Sequence, residues 1–428
     1  MTGPVLNQSV KTLYDVVNHS FERFESKTCM QKRKFLGMRS VNPAVKHFDE
    51  NTISYNYKEV GEKIHRFGAA LRQEGLVPAP EVATLNAITT PCSLAIFENT
   101  CSEWMIGALG AFSQSIIVTT IYATLGLDAT VTAIQDGSVS AILCNKKNVK
   151  KILSRSSSMH TLKTIIYTND CIADDDDVDF GVLPAHDIKV IAFDDFVTQG
   201  DIVAYPPTPP KPSTVAILMY TSGSTGKPKG VVLTHAQSTA CCGAFTERAG
   251  FRQSDVFIGY LPLAHIFELM GELSALSVGA AICYADPKTL TARGSYPKGA
   301  LEQYAPTVIP GVPKVWDLIK KGVEAKIASS EPVPKFLITT AIQWRKFASK
   351  YGFDTPLFNA LVFKKLSKAV GGRMRIGYSG GGPLNSEVHS FIQTCFGVPF
   401  FQGYVSADSH CLNDFNCTLV AYCDSCFE

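Results

Sequence analysis

The segment from Tyr205 to Gly230 constrains this chain more than any other stretch. Tyr-Pro-Pro-Thr-Pro-Pro-Lys-Pro at 205–212 is a stiff, extended linker. It delivers the chain into Val215, Ala216, Ile217, Leu218 and Met219, an apolar run that reads as a buried strand. Thr221–Gly230 follows at once as Thr-Ser-Gly-Ser-Thr-Gly-Lys-Pro-Lys-Gly. Gly223, Gly226 and Gly230 let the backbone turn and approach a ligand closely. Successive N–H groups in such a turn make an anion-binding nest. The hydroxyls of Thr221, Ser222, Ser224 and Thr225 add donors, and Lys227 and Lys229 add positive charge. These groups suit phosphate.

The loop departs from the common nucleotide-binding P-loop. That motif places four residues between its glycines and a hydroxyl residue after Gly-Lys. Here two residues separate Gly223 from Gly226, and Pro228 follows Lys227. Pro228 also opposes running the loop straight into a helix. A hydroxyl-rich loop of this kind suits a pyrophosphate that is gripped and then released.

Around the loop, strand-like and helix-like patterns alternate. Tyr57, Val60, Ile64, Phe67 and Leu71 recur at three- and four-residue steps, an amphipathic helix that stops at Gly75. Ser138–Cys144 reads as a buried strand and Lys146–Leu153 as the helix after it. Val190–Phe193, Val231–Leu233, Ile376–Tyr378 and Val398–Phe401 are further short apolar runs, and Thr234 suits the N-cap of a helix. This alternation predicts an α/β fold with two layered, mostly parallel subdomains. A length of 428 residues is enough for two or more lobes.

Composition narrows the function classes. With 46% hydrophobic and 18% charged residues the chain is globular, and a net charge of +2 leaves no electrostatic footprint for nucleic acid. Asp174–Asp177 is the one notable charge run and reads as a solvated loop. Nine of the thirteen cysteines are scattered without metal-ligand spacing, which fits buried thiols in a reducing compartment. Neither a secretory leader nor an 18-residue apolar run is present, so a cytoplasmic protein, or one attached peripherally to an intracellular membrane, is expected.

Several segments then resemble one family. The loop is similar to the signature of the adenylate-forming superfamily, which includes acyl-CoA synthetases, luciferases and peptide-synthetase adenylation domains. Ile53-Ser54-Tyr55, Glu98-Asn99-Thr100 with Glu103-Trp104, and Tyr122-Ala123-Thr124-Leu125-Gly126 resemble its long-chain fatty acyl-CoA synthetase branch. So do Pro262-Leu263-Ala264-His265-Ile266-Phe267-Glu268 and Val312-Pro313-Lys314-Val315-Trp316. The resemblance implies an acid–thiol ligase that uses ATP, Mg²⁺ and coenzyme A. A fatty carboxylate would be adenylated, and the thiol of coenzyme A would then displace AMP.

The resemblance also implies residue roles. Thr221, Ser222, Gly223, Ser224, Thr225 and Lys229, with Gly226 in the same loop, would hold the ATP phosphates. Gly380, Gly381, Gly382 and Pro383 would line the adenine side of the pocket, and three glycines after a strand suit close approach to a flat base. His265 would lie beside the carboxylate and the reactive phosphorus, with Lys229 as the other catalytic residue. Leu269–Ile282 would form a wall of the acyl tunnel, or an ordinary packed helix and strand.

Gln402, Gly403 and Tyr404 begin the next family motif, where Tyr stacks on adenine. Thereafter the sequence departs. Ala407 stands where a phosphate-contacting Thr is expected, and Asp408 stands in place of the Glu that holds Mg²⁺. The expectation is an adenylate-forming N-terminal domain over 1–404, incomplete at its C-terminal end, then a Cys-rich tail over 405–428 without the lid domain. A truncated chain of this kind would expose unpaired strand edges and be weakly active or inactive. Two alternatives stay open: a non-catalytic fragment that binds nucleotide or fatty acid, and a ligase for a medium-chain or aryl acid.

Overall fold

The computed structural model of the chain describes residues 10–40, 43–82, 88–173, 180, 188–221, 229–404 and 420–422. Two sheets carry the fold. The first is nine-stranded. It contains β1 (Thr28–Arg39), β2 (Val45–Asn56), β10 (Val256–Gly259), β11 (Ala281–Tyr284), β12 (Ser295–Tyr296), β13 (Val308–Gly311), β14 (Ile376–Ser379), β15 (Phe400–Tyr404) and β16 (Val420–Tyr422). Its order is β12-β2-β1-β11-β10-β13-β14-β15-β16. The run from β1 to β15 is parallel, with β2 antiparallel on one side and β16 on the other.

The second sheet is seven-stranded, in the order β7-β6-β5-β3-β4-β8-β9. It consists of β3 (Ser93–Phe97), β4 (Ile117–Thr120), β5 (Ala141–Asn145), β6 (Thr164–Thr168), β7 (Lys189–Ala192), β8 (Val215–Thr221) and β9 (Lys229–Thr234). All pairs are parallel except β8 with β9. β3 and β5 are buried at every position, as befits parallel strands covered on both faces. The alternation in β3 divides the cores. Leu94 and Ile96 face the larger core, shared with Ile258, Ile282 and Val308 of the first sheet, while Ala95 and Phe97 face a smaller outer one.

Helices fill the larger core. Tyr57–Gln73 buries Tyr57, Val60, Ile64, Phe67 and Leu71, the residues its periodicity singles out, and begins with a capping box of Asn56 and Glu59. It crosses Ser102–Ser113 closely, because Gly68 and Gly110 face each other where a Cβ on Gly68 would be 2.6 Å from the Gly110 carbonyl. His235–Ala249 begins at Thr234, whose hydroxyl accepts from the Gln237 N–H. It packs against Ile266–Ser277, and these two helices lie between the sheets.

Four expectations change. The strand expected over Ser138–Cys144 starts at Ala141, because Ser138 turns the chain at φ 44°. Lys146–Leu153 divides into a 3₁₀ turn, Lys146–Asn148, and a short helix, Val149–Leu153. The apolar run expected over Val398–Phe401 becomes a strand that starts at Phe400 and extends through Gln402, Gly403 and Tyr404 as β15. The outer side of β15 is not bare, since Gln402, Gly403 and Tyr404 pair with Tyr422, Ala421 and Val420.

Candidate active site

The glycine-rich loop grows from a hairpin. Thr221 at the end of β8 pairs with Lys229 at the start of β9, so both roots of the loop are fixed side by side. Ser222, Gly223, Ser224, Thr225 and Gly226 lie outside the described residues, as do Lys227 and Pro228. Lys229 is exposed. Gly230 has a packing reason of its own, since a Cβ there would be 3.0 Å from the Leu218 side chain and 3.3 Å from the Tyr220 ring.

At the C-terminal end of the first sheet, three neighbouring strands end together. Ser379 pairs with Gln402 and with Gly311, and the Gly380 N–H donates to the Gly311 carbonyl at 3.1 Å. The following Gly-Gly-Gly-Pro turn uses its glycines for different ends. Gly380 is buried, and a Cβ on it would be 2.9 Å from the ring of Phe267. Gly381 adopts φ +76°, which other residues reach only with strain. Gly382 would meet only Pro313, at an ordinary 3.7 Å, and Pro383 is exposed. The Ser379 hydroxyl beside this turn is buried without a hydrogen-bond partner among the described residues.

His265 caps the helix Ile266–Ser277. Its Nδ1 accepts from the Phe267 N–H at 3.1 Å, leaving Nε2 to carry the proton of the neutral ring. Burial lowers its pKa from the ordinary value, so the ring is neutral near pH 7. Two residues on, Phe267 touches Gly380. The helix that His265 starts is therefore packed directly on the glycine turn.

The turn leading to His265 is tied from several directions. Glu268 accepts from the N–H groups of Tyr260 at 2.9 Å and Leu261 at 3.3 Å. Thr100, beyond β3, donates to the Leu261 carbonyl and accepts from the Leu263 N–H at 3.0 Å. Thr120, the last residue of β4, donates to the Ala264 carbonyl at 3.4 Å. In β8, Met219 pairs with Thr120, and Thr221 lies two residues further in the same direction. One strand thus links the root of the glycine-rich loop to the residue before His265. Ligand sites in open parallel sheets gather at such strand ends.

Sequence reasoning gave Glu268 no role and did not single out Glu272. Both are fully buried, one helical turn apart. Tyr284 donates to Glu272 at 2.8 Å. Burial pushes Glu272 up to about 8, and burial together with the neighbouring Glu272 raises Glu268 well above the carboxylate range. At neutral pH the pair holds at least one proton. Two glutamates four residues apart in an otherwise apolar stretch were the signal available in the sequence. Leu269–Ile282 itself packs as a buried helix and strand, and none of its residues lines the cavity beside the site.

That cavity, of about 600 Å³, opens between the ends of β3 to β6 and the strands β1 and β2. Pro262 and Ala264 form its inner wall, next to His265, and Tyr122–Thr124 form part of another. Charged side chains stand among apolar ones on its walls. Lys32 pairs with Glu103, and Lys46 with Asp286 at 2.8 Å. Burial and the nearby Asp170 push Glu98 up to about 8; burial and Glu103 push Asp170 up to about 6.

Among the described residues no group of three or more His, Cys, Asp or Glu side chains is arranged to hold a metal. Asp408, expected to hold Mg²⁺, lies outside them, as do the cysteines of the tail and Asp174–Asp177. Among the described residues the nine cysteines form no disulfide, and Cys171 alone of them is not buried.

Comparison with known proteins agrees with this architecture. The family described as AMP-binding enzyme matches residues 36–412. Long chain acyl-CoA synthetase 8 of Arabidopsis thaliana is 35% identical over 82% of this chain and 48% of its own length. Long-chain-fatty-acid–CoA ligase 2 of Schizosaccharomyces pombe is 31% identical over 92% of this chain and 58% of its own. The chain thus spans about half the length of these curated relatives. The A domain of carboxylic acid reductase from Segniliparus rugosus, solved with AMP and a co-purified carboxylic acid, superposes with a TM-score of 0.67. That match covers 94% of this chain and 61% of that one at 15% identity, so it speaks for the fold. A benzoate CoA ligase from Burkholderia xenovorans gives a TM-score of 0.60 at 18% identity, over 92% of this chain and 61% of that one. The chain belongs to the AMP-binding enzyme family of the adenylate-forming superfamily, with long-chain acyl-CoA synthetases among its relatives.

Proposed function

We propose that this chain carries the adenylating site of a long-chain fatty acid–CoA ligase. The observation that supports this reading most strongly is the packing of Phe267 on Gly380. It sets the helix that His265 begins against the glycine turn after β14, while Thr120 of β4 ties the residue before His265 to the strand beside β8, where the glycine-rich loop is rooted. In the first step a carboxylate oxygen attacks the α-phosphorus of ATP, and the bond to pyrophosphate breaks. In the second, the sulfur of coenzyme A attacks the acyl carbon, AMP leaves, and the thiol proton passes to solvent.

The residues divide this work by chemistry. Thr221 to Lys229 supply donors and a cation to the departing pyrophosphate, which carries the growing negative charge. Gly380–Pro383 and Gln402–Tyr404 receive the adenine. His265 donates through Nε2 to an oxygen of the carboxylate or the α-phosphate, aligning the two without adding charge of its own. Mg²⁺ enters with ATP as part of the substrate. The cavity beside Pro262 and Ala264 is assigned to coenzyme A rather than to the alkyl chain, because Lys32, Arg33, Lys46 and Lys147 on its walls suit phosphate groups.

A second reading is binding of nucleotide and fatty acid without turnover. Exchange of labelled pyrophosphate into ATP separates the two. Turnover requires exchange that depends on a long-chain acid such as palmitate. A chain that binds ATP but shows no acid-dependent exchange sinks the ligase reading, and preference for benzoate or octanoate redirects it to another acid.

A further inference from the structure

The helix Pro332–Lys350 and the turn after it carry an exposed aromatic stripe that the proposed site does not use. The inner face of the helix is anchored. Ala341 and Ala348 are buried, and Arg345 donates to the Thr394 carbonyl at 3.0 Å with its guanidinium 3.5 Å from the centre of the Phe363 ring. That anchoring fixes which side faces outward. Phe336 is 74% exposed, Trp344 54% and Phe347 55%, and they recur at the spacing of one helical face. Trp344, Phe347 and Tyr351 form a ladder of rings, with centroids 5.9 Å and 4.9 Å apart. Phe353 and Leu357 continue the exposed surface past the end of the helix. A contiguous apolar face of this kind marks an interaction surface.

Charge says what covers it. Residues 332–373 contain eight Lys and Arg and one acidic residue, Asp354, whereas the whole chain has 40 against 38. Lys335, Lys346, Lys350, Lys364, Lys365 and Lys368 are all exposed. A second copy of the same face would set like charge against like, so self-association there is disfavoured. A single-stranded nucleic acid would use the rings and cations but would gain nothing from covering Val333, Leu337, Leu357 and Leu361, all exposed. Aromatic and aliphatic side chains bordered by lysines are the composition of an element lying in a membrane interface.

We propose that this helix and the turn after it dock on the anionic surface of a lipid bilayer, with the ring ladder entering the headgroup region and the lysines facing the phosphates. Among the described residues no helix is long and apolar enough to cross a membrane, so this helix would lie on the bilayer and not span it. It stands apart from the ligase reading and is tested without any activity measurement.

The chain contains its own reporter. Of its three tryptophans, Trp104 and Trp316 are fully buried and Trp344 is exposed. The full chain is titrated with vesicles of phosphatidylcholine, with or without phosphatidylserine, while tryptophan emission and co-sedimentation are followed. A blue shift, quenching by lipids brominated on their chains, and weakening at high salt are expected with phosphatidylserine alone. Phe347→Glu is expected to lower partitioning about tenfold or more, and Lys346→Ala or Lys350→Ala about fivefold each. Both classes of variant alter only exposed positions, and unchanged thermal melting verifies their fold. No response of Trp344 to anionic vesicles would overturn the proposal. So would an equal response to a soluble polyanion such as heparin, or a dimer in sedimentation that Phe347→Glu dissolves.

Discussion

The ring of Phe267 occupies the space that a side chain on Gly380 would need, with a Cβ there only 2.9 Å from the ring. This contact joins two segments more than a hundred residues apart in sequence, the helix that begins at His265 and the turn that ends β14. Gly380→Ala is expected to push the turn and the helix apart. Overpacking of this kind costs about 1–3 kcal/mol, and a misplaced turn slows alignment-dependent chemistry about tenfold or more. Melting temperature and pyrophosphate exchange check the two effects. Phe267→Leu in the same chain should restore part of both, whereas no effect of Gly380→Ala on exchange would separate the turn from the reaction.

His265 has two duties that substitution separates. As an N-cap it satisfies the Phe267 N–H, so His265→Ala should cost about 1 kcal/mol of stability. His265→Asn keeps a capping acceptor and should restore the melting temperature. It should not restore exchange, which is expected to fall about a hundredfold in both variants if the imidazole aligns the reacting oxygens. Because burial lowers the pKa of His265, exchange should show no His-dependent loss between pH 8 and the ordinary histidine value, and should decline only below it.

Glu98 makes stability depend on pH in a defined direction. The Asn99 N–H donates to it at 2.7 Å and the Thr168 hydroxyl donates to its other oxygen, yet burial still raises it from 4.5 to about 8. The folded chain therefore keeps this proton up to about pH 8, while the unfolded chain releases it near 4.5. Stability from this group is full below pH 4.5 and is lost as pH rises towards 8. Glu98→Gln, which needs no proton, should flatten that slope. Relative to the unaltered chain it should gain on the order of a few kcal/mol at pH 8 and nothing near pH 4. Thermal melting across this range checks it, and parallel curves would refute it.

Glu268 clamps the turn that carries His265. Glu268→Ala leaves the Tyr260 and Leu261 N–H groups buried without an acceptor and opens a void beside Glu272. The expected loss is about 2–5 kcal/mol. Glu268→Gln keeps an acceptor for both N–H groups and removes one of two neighbouring buried acids. It should fold with near-unaltered stability at neutral pH. Chemical denaturation compares the two, and equal losses would show that the acceptor oxygen is not what matters.

Much of the fold was legible because its signals are local. The spacing of Tyr57, Val60, Ile64, Phe67 and Leu71 named a buried helical face, and Thr234 marked a helix start through its own hydroxyl. Pairing was less legible. The run at Val231–Leu233 announces a strand, but nothing in it says that the partner is β8 or that the pair is antiparallel. Gln402, Gly403 and Tyr404 lack the composition of a strand and are held in one by Ser379 on one side and Val420–Tyr422 on the other. The site divided in the same way. His265 and the glycine turns were named from contiguous residues, and a separate physical reason is visible for Gly230, Gly380 and Gly381. Glu268 and Glu272 escaped because carboxylates usually stay in water, and their burial depends on distant partners, Tyr260 and Tyr284.

The central claim is that these two sheet ends activate a fatty carboxylate with ATP. It is tested most directly by exchange of labelled pyrophosphate into ATP with palmitate, comparing the chain with its Lys229→Ala variant. The expected result is palmitate-dependent exchange that falls about a hundredfold when the Lys229 cation is removed. Exchange no greater than in Lys229→Ala, from a folded chain that binds ATP, would contradict it.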